Sequence, residues 1–287
     1  MPPKRKTRAG KEVAEAKSAG GDEHAESGNN ASGATHLVPR PSGLTSEDIQ
    51  AAVSRYQEHV SQLAGAKSKS ELQELDEWRL KELPGLVKSR KPAFIDKEEL
   101  ERLMEWKLTR GKFRPTLPAL IAQNTPAKVK SSTQDAFSAL SEMSSSTPPY
   151  QPFRAVLKAL CGALKGVGPA TGSLVLSVYD DRVPFMSDEA YIWIMYADRG
   201  VLKKDIKYTE KGYLDYAVRI WEVAEKVGIT PTELEKVGWV LGREWISGAA
   251  LGPADTADEE AETCDEKGDG PSEDGPDRPT KSKRQKR

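Results

Sequence analysis

All 19 aromatic residues of this 287-residue chain lie between Tyr56 and Trp245. No other feature constrains the fold as much. A segment without aromatics and with few branched apolar residues buries too little surface to offset the entropy of ordering it. Residues 1–44 and 253–287 are such segments, and both read as disordered arms. The interval 45–252 must then hold the core, and it is long enough for one good core or for two small lobes.

Several classes are excluded by the same inspection. No apolar run approaches the roughly 18 residues of a membrane span, and the N-terminus lacks the apolar stretch of a signal peptide. Two cysteines, Cys161 and Cys264, make neither a disulfide framework nor a four-thiolate metal or iron–sulfur site. His24 and His36 fall in the N-terminal arm, and His59 stands alone on an expected helix. The chain reads as a soluble, reduced, intracellular protein with no metal centre and no membrane partner.

Charge placement says more than the net charge of −1. Lys4-Arg5-Lys6 and Arg8 open the chain, and Lys281, Lys283, Arg284, Lys286 and Arg287 end it. Basic clusters in two arms suit a nuclear import receptor or nucleic-acid phosphates, so the expected location is the nucleus. An acidic run between Asp255 and Asp277 precedes the second cluster. The core itself is nearly balanced, so any nucleic-acid contact has to come from a local patch.

Within the core the apolar residues recur at helical spacing. Thr45 followed by Glu47 and Asp48 marks a helix start, and Ile49, Val53, Tyr56, Val60 and Leu63 continue it. A second helix carries Leu72, Leu75 and Trp78 to a stop at Pro84-Gly85. A third runs from Asp96 to Gly111. Pro115 and Pro118 flank a short helix, Pro126 opens the next, and Ser144–Pro149 reads as a loop, a hinge if there are two lobes. Helices are also expected over Phe153–Leu164, Pro169–Tyr179, after Ser187, from Thr209 to Val227 and from Thr230 toward Ile246. The class is all-α.

Two segments carry chemistry. The first is Leu164-Lys165-Gly166-Val167-Gly168-Pro169-Ala170-Thr171, in a hairpin spanning 164–172. Two glycines between helices permit positive φ and close approach of backbone to another surface. The helix opened by Pro169 offers unpaired amides and a partial positive charge. Such a nest holds phosphate through backbone groups and reads DNA by shape. The second is Trp106-Lys107-Leu108-Thr109-Arg110-Gly111-Lys112-Phe113-Arg114, where Lys107, Arg110, Lys112 and Arg114 are positioned to grip phosphates and an aromatic to stack on a base. The alternative is that Trp106 and Phe113 are core and the charges are solvated.

Residues Leu164–Met195 resemble the helix-hairpin-helix DNA glycosylase superfamily, which contains endonuclease III, the adenine glycosylase MutY and the alkylbase glycosylases. The matching motif is Leu164, Gly166-Val167-Gly168 and Thr171, then the apolar helix of Leu174, Val175, Leu176 and Val178, then Asp188 opening another helix. The resemblance implies duplex DNA held at Lys165, Gly166, Val167, Gly168 and Thr171. It implies Asp188 as the carboxylate that stabilises positive charge on the sugar as the base leaves. Tyr191, Trp193 and Trp106 are then the aromatics available to a flipped base. Ala170 occupies the position of the family's Schiff-base lysine, which argues against lyase activity. No iron–sulfur cluster is implied, and the only cofactor with room is a monovalent cation on the hairpin's backbone carbonyls. Glu189-Ala190 depart from the family's pattern after the Asp.

Two functions stay open on this reading: a monofunctional DNA glycosylase of base excision repair, and a non-catalytic DNA-binding or protein-docking module on the same fold. The discriminator is whether Asp188 opens into a concave pocket lined by aromatics or lies against Lys and Arg.

Overall fold

The computed structural model describes residues 38–65, 70–143, 150–201 and 206–249, and among these it is all-helical, without a strand. Helix α1 (Ser46–Ala64) starts where the Thr45 side chain accepts a hydrogen bond from the Asp48 amide and the Asp48 carboxylate accepts one from the Thr45 amide. Asp96 and Glu99 form the same reciprocal pair at the start of α4 (Lys97–Arg110). These boxes satisfy amides that have no partner inside the helix. Thr125 and Thr209 similarly cap α6 (Pro126–Ser141) and α10 (Glu210–Val227).

The second predicted helix does not stop at Pro84. Helix α2 (Leu72–Glu77) runs through a π-helical turn, Trp78–Glu82, into α3 (Leu83–Ser89). The Leu83 amide reaches back to the Trp78 carbonyl, a five-residue step that widens the helix just before the proline. Pro84 thereby falls in the first turn of α3, where no amide is required. Pro118 likewise lies within α5 (Thr116–Ala122), not beside it.

Helix α8 (Pro169–Tyr179) is the centre of the molecule. Every residue from Ala170 to Val178 is buried, as expected of a helix apolar all round. It contacts α3, α4, α6, α10 and the preceding α7 (Tyr150–Ala163). Around this post α4 and α6 pack on one side. On the other, α9 (Asp188–Tyr196), α10 and α11 (Pro231–Ala249) pack with α1.

The predicted boundaries need two corrections. The N-terminal arm was expected to reach residue 44, yet Pro39–Leu44 belongs to the packed unit. Pro41 and Leu44 are buried, Trp193 Nε1 donates to the Pro39 carbonyl (2.8 Å), and the Ser42 amide donates to Asp198 (3.0 Å). Nor does the chain divide into two lobes at 144–149. That loop and the two tails lie outside the described residues, but α6 and α7, which flank the loop, pack on each other within one unit.

Chain-end helices α1 and α11 are joined by Arg55, which donates to both oxygens of Glu244 (2.7 and 2.9 Å), with His59 Nε2 at 3.0 Å from Oε1. Burial alone would push the Glu244 carboxyl up, but hydrogen bonds from His59 and Arg55 hold it down at about 2. A depressed folded-state value stabilises above the unfolded value and is lost as pH falls through the folded one. Wild-type melting temperature should therefore decline between about pH 4.5 and pH 2, and Glu244→Gln should flatten that decline. Melting curves across this range test it; an unchanged slope in the variant would remove Glu244 from the acid response.

Candidate functional site

The two glycines between α7 and α8 differ in conformation. Gly166 is the residue with positive φ (75°). Gly168 is extended (φ −92°, ψ −176°) and serves as the N-cap of α8. A β-carbon at Gly166 would lie 3.0 Å from Leu120 Cβ and 3.2 Å from the Ile121 amide nitrogen, whereas one at Gly168 would meet nothing within 4 Å. Tightness against the protein is thus at Gly166, and the open approach is at Gly168. The Gly172 amide bonds to the Gly168 carbonyl (2.7 Å). The amides ahead of it, at Gly168, Ala170 and Thr171, then precede any intrahelical acceptor.

Sequence reasoning missed the residue that fixes this hairpin. Asn124, buried just beyond α5, accepts from the Lys165 amide and donates to the Lys165 carbonyl (both 2.9 Å). Its second amide hydrogen bonds the Ile121 carbonyl (2.9 Å). Lys165 Nζ reaches Gln123 Oε1 at 3.1 Å and remains exposed. An Asn following a short helix is the only local signal, and its partner lies 41 residues on. Of the hairpin carbonyls offered to a monovalent cation, those of Leu164 and Lys165 already accept hydrogen bonds.

Helix α5 also sets the distance from the hairpin to the second predicted segment. Gly111–Pro115 joins α4 to the N-terminal end of α5, and the hairpin is latched at its C-terminal end. Seven residues at about 1.5 Å each separate them by roughly 10 Å, close to three base-pair steps of 3.4 Å. In this loop Lys112 is exposed, and the Phe113 ring is 67% exposed, projecting from the surface. Arg114 is half-buried, its guanidinium stacked 4.7 Å over the Tyr208 ring.

Other predicted contacts are core, and the structure corrects them. Arg110, expected on phosphate, is 3% exposed. Its guanidinium lies 4.2 Å over the Trp239 ring and 4.9 Å over Trp106, with Tyr56 and Phe185 each at 5.9 Å. It donates to Glu235 Oε1 (3.1 Å). Burial opposes its charge, yet Glu235, Tyr56 and Asp76 together raise its pKa. Trp106, expected near a flipped base, donates from Nε1 to Asp76 (3.0 Å), which also accepts from Tyr56 (2.7 Å). Tyr191 is stacked on Tyr216 in the interior, and Trp193 is fully buried on Pro39. Val167 and Thr171 have buried side chains, which leaves only their backbone for an external contact.

That core cluster positions Asp188. Ser187 donates to the Glu235 carboxylate that Arg110 holds, and Ser187 is the N-cap of α9. A β-carbon at Gly242 would overlap the Glu189 carbonyl, so α11 presses directly on the first turn of α9. Asp188 is partly exposed and accepts a 2.6 Å hydrogen bond from the Tyr208 hydroxyl. Burial, then Asp188, raises the Tyr208 pKa. Burial lowers that of Lys107, with Asp188 opposing it. The depression shared by Asp188, Lys107, Lys112 and Arg114 has a cavity volume of about 20 Å³.

No family profile, curated protein or solved structure matches this chain. A volume of about 20 Å³ is room for about one water, at 10–15 Å³ per probe-filled site. Asp188 lies among lysines and arginine under a tyrosine, and the aromatics that follow it on α9 face the interior. Burial, then Glu210, pushes the Cys161 thiol up to about 11. Among the described residues no group of three His, Cys, Asp or Glu is placed to hold a metal ion.

Proposed function

We propose that this protein is a nuclear, sequence-independent duplex DNA-binding module that has the helix-hairpin-helix element without base excision. The observation that carries the reading is the pairing, across one short helix, of the open backbone at Gly168 before α8 with a loop whose Lys112 and Phe113 are exposed and whose Arg114 is half-buried. The proposed phosphate nest comprises Gly168, the first amides of α8 and Lys165. Backbone amides and a helix N-terminus hold one phosphate without regard to sequence. The loop supplies cations about three steps away and an apolar ring that can wedge or stack at a base step. Basic clusters at both chain ends add non-specific attraction and fit a nuclear import receptor.

The test uses the full chain and a fluorescein-labelled duplex, with affinity measured by anisotropy across salt concentration. Each neutralised phosphate contributes about 0.9 to the log–log slope. Lys165→Ala should lower the slope by about one, and Lys112→Ala with Arg114→Ala by about two. If neither variant changes the slope, the tails alone carry the binding and the core interface is overturned. On duplexes bearing assorted lesions, no base release is expected, and Asp188→Asn should leave affinity equal or raised. Base release that disappears in Asp188→Asn would restore the glycosylase reading.

A further inference from the structure

Helices α4 and α5 are joined by the Gly111–Pro115 turn, and the space between them is a groove of about 750 Å³. Met104 and Leu108, one turn apart on α4, and Ile121 on α5 form its buried base, and the exposed apolar lining is Phe113, Pro118 and Ala122. Phe113 closes one end. Such a volume falls within the roughly 300–1,000 Å³ of sites that bury an apolar ligand. The stretch of α4 along it, from Glu101 to Thr109, is about two helical turns.

Its rim has the opposite sign from the proposed DNA face. Glu101 and Glu105 line the groove one turn apart. Glu105 hydrogen-bonds the Glu71 carboxyl and lies near Glu74, and its pKa is raised by burial, then by Glu71. The cations nearby are already engaged: Arg102 with Glu74 (2.9 Å) and the Trp78 ring (4.5 Å), and Lys97 with Glu101 (3.6 Å). Four carboxyl groups against two cations leave an acidic edge beside an apolar floor. DNA is repelled there, and an uncharged apolar ligand would leave the Glu71–Glu105 pair uncompensated.

We infer that the α4–α5 groove is a docking site for a basic amphipathic helix of a partner protein, with apolar anchors against Phe113, Pro118 and Ala122 above the Met104 and Ile121 base, and Lys or Arg against Glu101 and Glu105. Two turns of groove accept anchors at i, i+3 or i+4, and i+7, the spacing of one face of a helix. The exposed Phe113 ring supplies an aromatic contact of the kind that dominates interface energies. This inference does not depend on DNA binding.

Met104 is one of five methionines, so ¹³C-methyl labelling of methionine in the full chain puts a reporter in the groove. The probe is a synthetic Leu/Lys amphipathic peptide of about three turns, with a Leu/Glu peptide of the same apolar face as control. The Met104 methyl resonance should shift saturably with the Lys peptide and stay in place with the Glu peptide. Glu105→Lys, a change at an exposed side chain, should weaken binding about tenfold or more, which is about 1.4 kcal/mol. Ala122→Trp, which fills the groove from an exposed position on α5, should abolish the shift. An unmoved Met104 resonance, equal responses to both peptides, or a shift that tracks protein concentration without peptide would each overturn the inference. The last result would assign the groove to a second copy of this chain.

Discussion

Arg110→Ala should cost about 3–5 kcal/mol of folding stability, the usual penalty for removing one partner of a buried ion pair. The guanidinium fills a box of four rings, and its removal leaves Glu235 buried beside a cavity. Ser187 still donates to Glu235, so the loss is less than total. Calorimetry should show a melting temperature lower by on the order of 10 °C. Arg110→Met with Glu235→Leu should recover most of that loss, because an apolar replacement of both partners leaves no orphaned charge. A core arginine and a phosphate-gripping arginine make opposite predictions. If Arg110→Ala melts with the wild type and loses duplex affinity, the guanidinium faces DNA.

The second large effect divides the two hairpin glycines. Gly166→Val should destabilise by about 2–5 kcal/mol. Positive φ costs a side-chain-bearing residue about 1–2 kcal/mol, and crowding against Leu120 and Ile121 adds about 1–3 kcal/mol. Gly168→Val should change stability by less than about 0.5 kcal/mol, since its backbone is extended and its β-carbon meets open space. Duplex affinity should respond in the other sense: Gly168→Val obstructs the approach of phosphate to the first amides of α8. Chemical denaturation and anisotropy on the same pair of variants separate the two roles. Equal loss of stability in both would show that Gly168 is needed for the fold.

Much of the fold was legible because its signals are local. Thr45 with Asp48 and Asp96 with Glu99 mark helix starts by short-range chemistry, and the unbroken apolar run of α8 marks a buried helix. The site was less legible, because cations at a helix end look alike whether solvated or buried. Arg110 is decided by Glu235, 125 residues away, and by rings from three other segments. One clue was present: Leu103, Trp106 and Arg110 share a helical face, whereas Phe113 lies beyond Gly111 and leaves it. The π-helical turn that carries the chain past Pro84 had no local signal, and the Asn124 latch had only a weak one.

The seam between α1 and α11 bears on how the chain reaches this state. Arg55 and Glu244 are 189 residues apart in sequence, and α1 contacts α11 more extensively than it does α2. Contacts of such separation have to await loop closure, which slows folding relative to helical proteins with mostly local contacts. During synthesis the apolar face of α1, with Ala52, Tyr56 and Val60, emerges well before α11, which supplies most of its cover. Truncation within α11 should therefore release α1 as well as α11, and the nascent chain exposes a sticky surface until α11 leaves the ribosome.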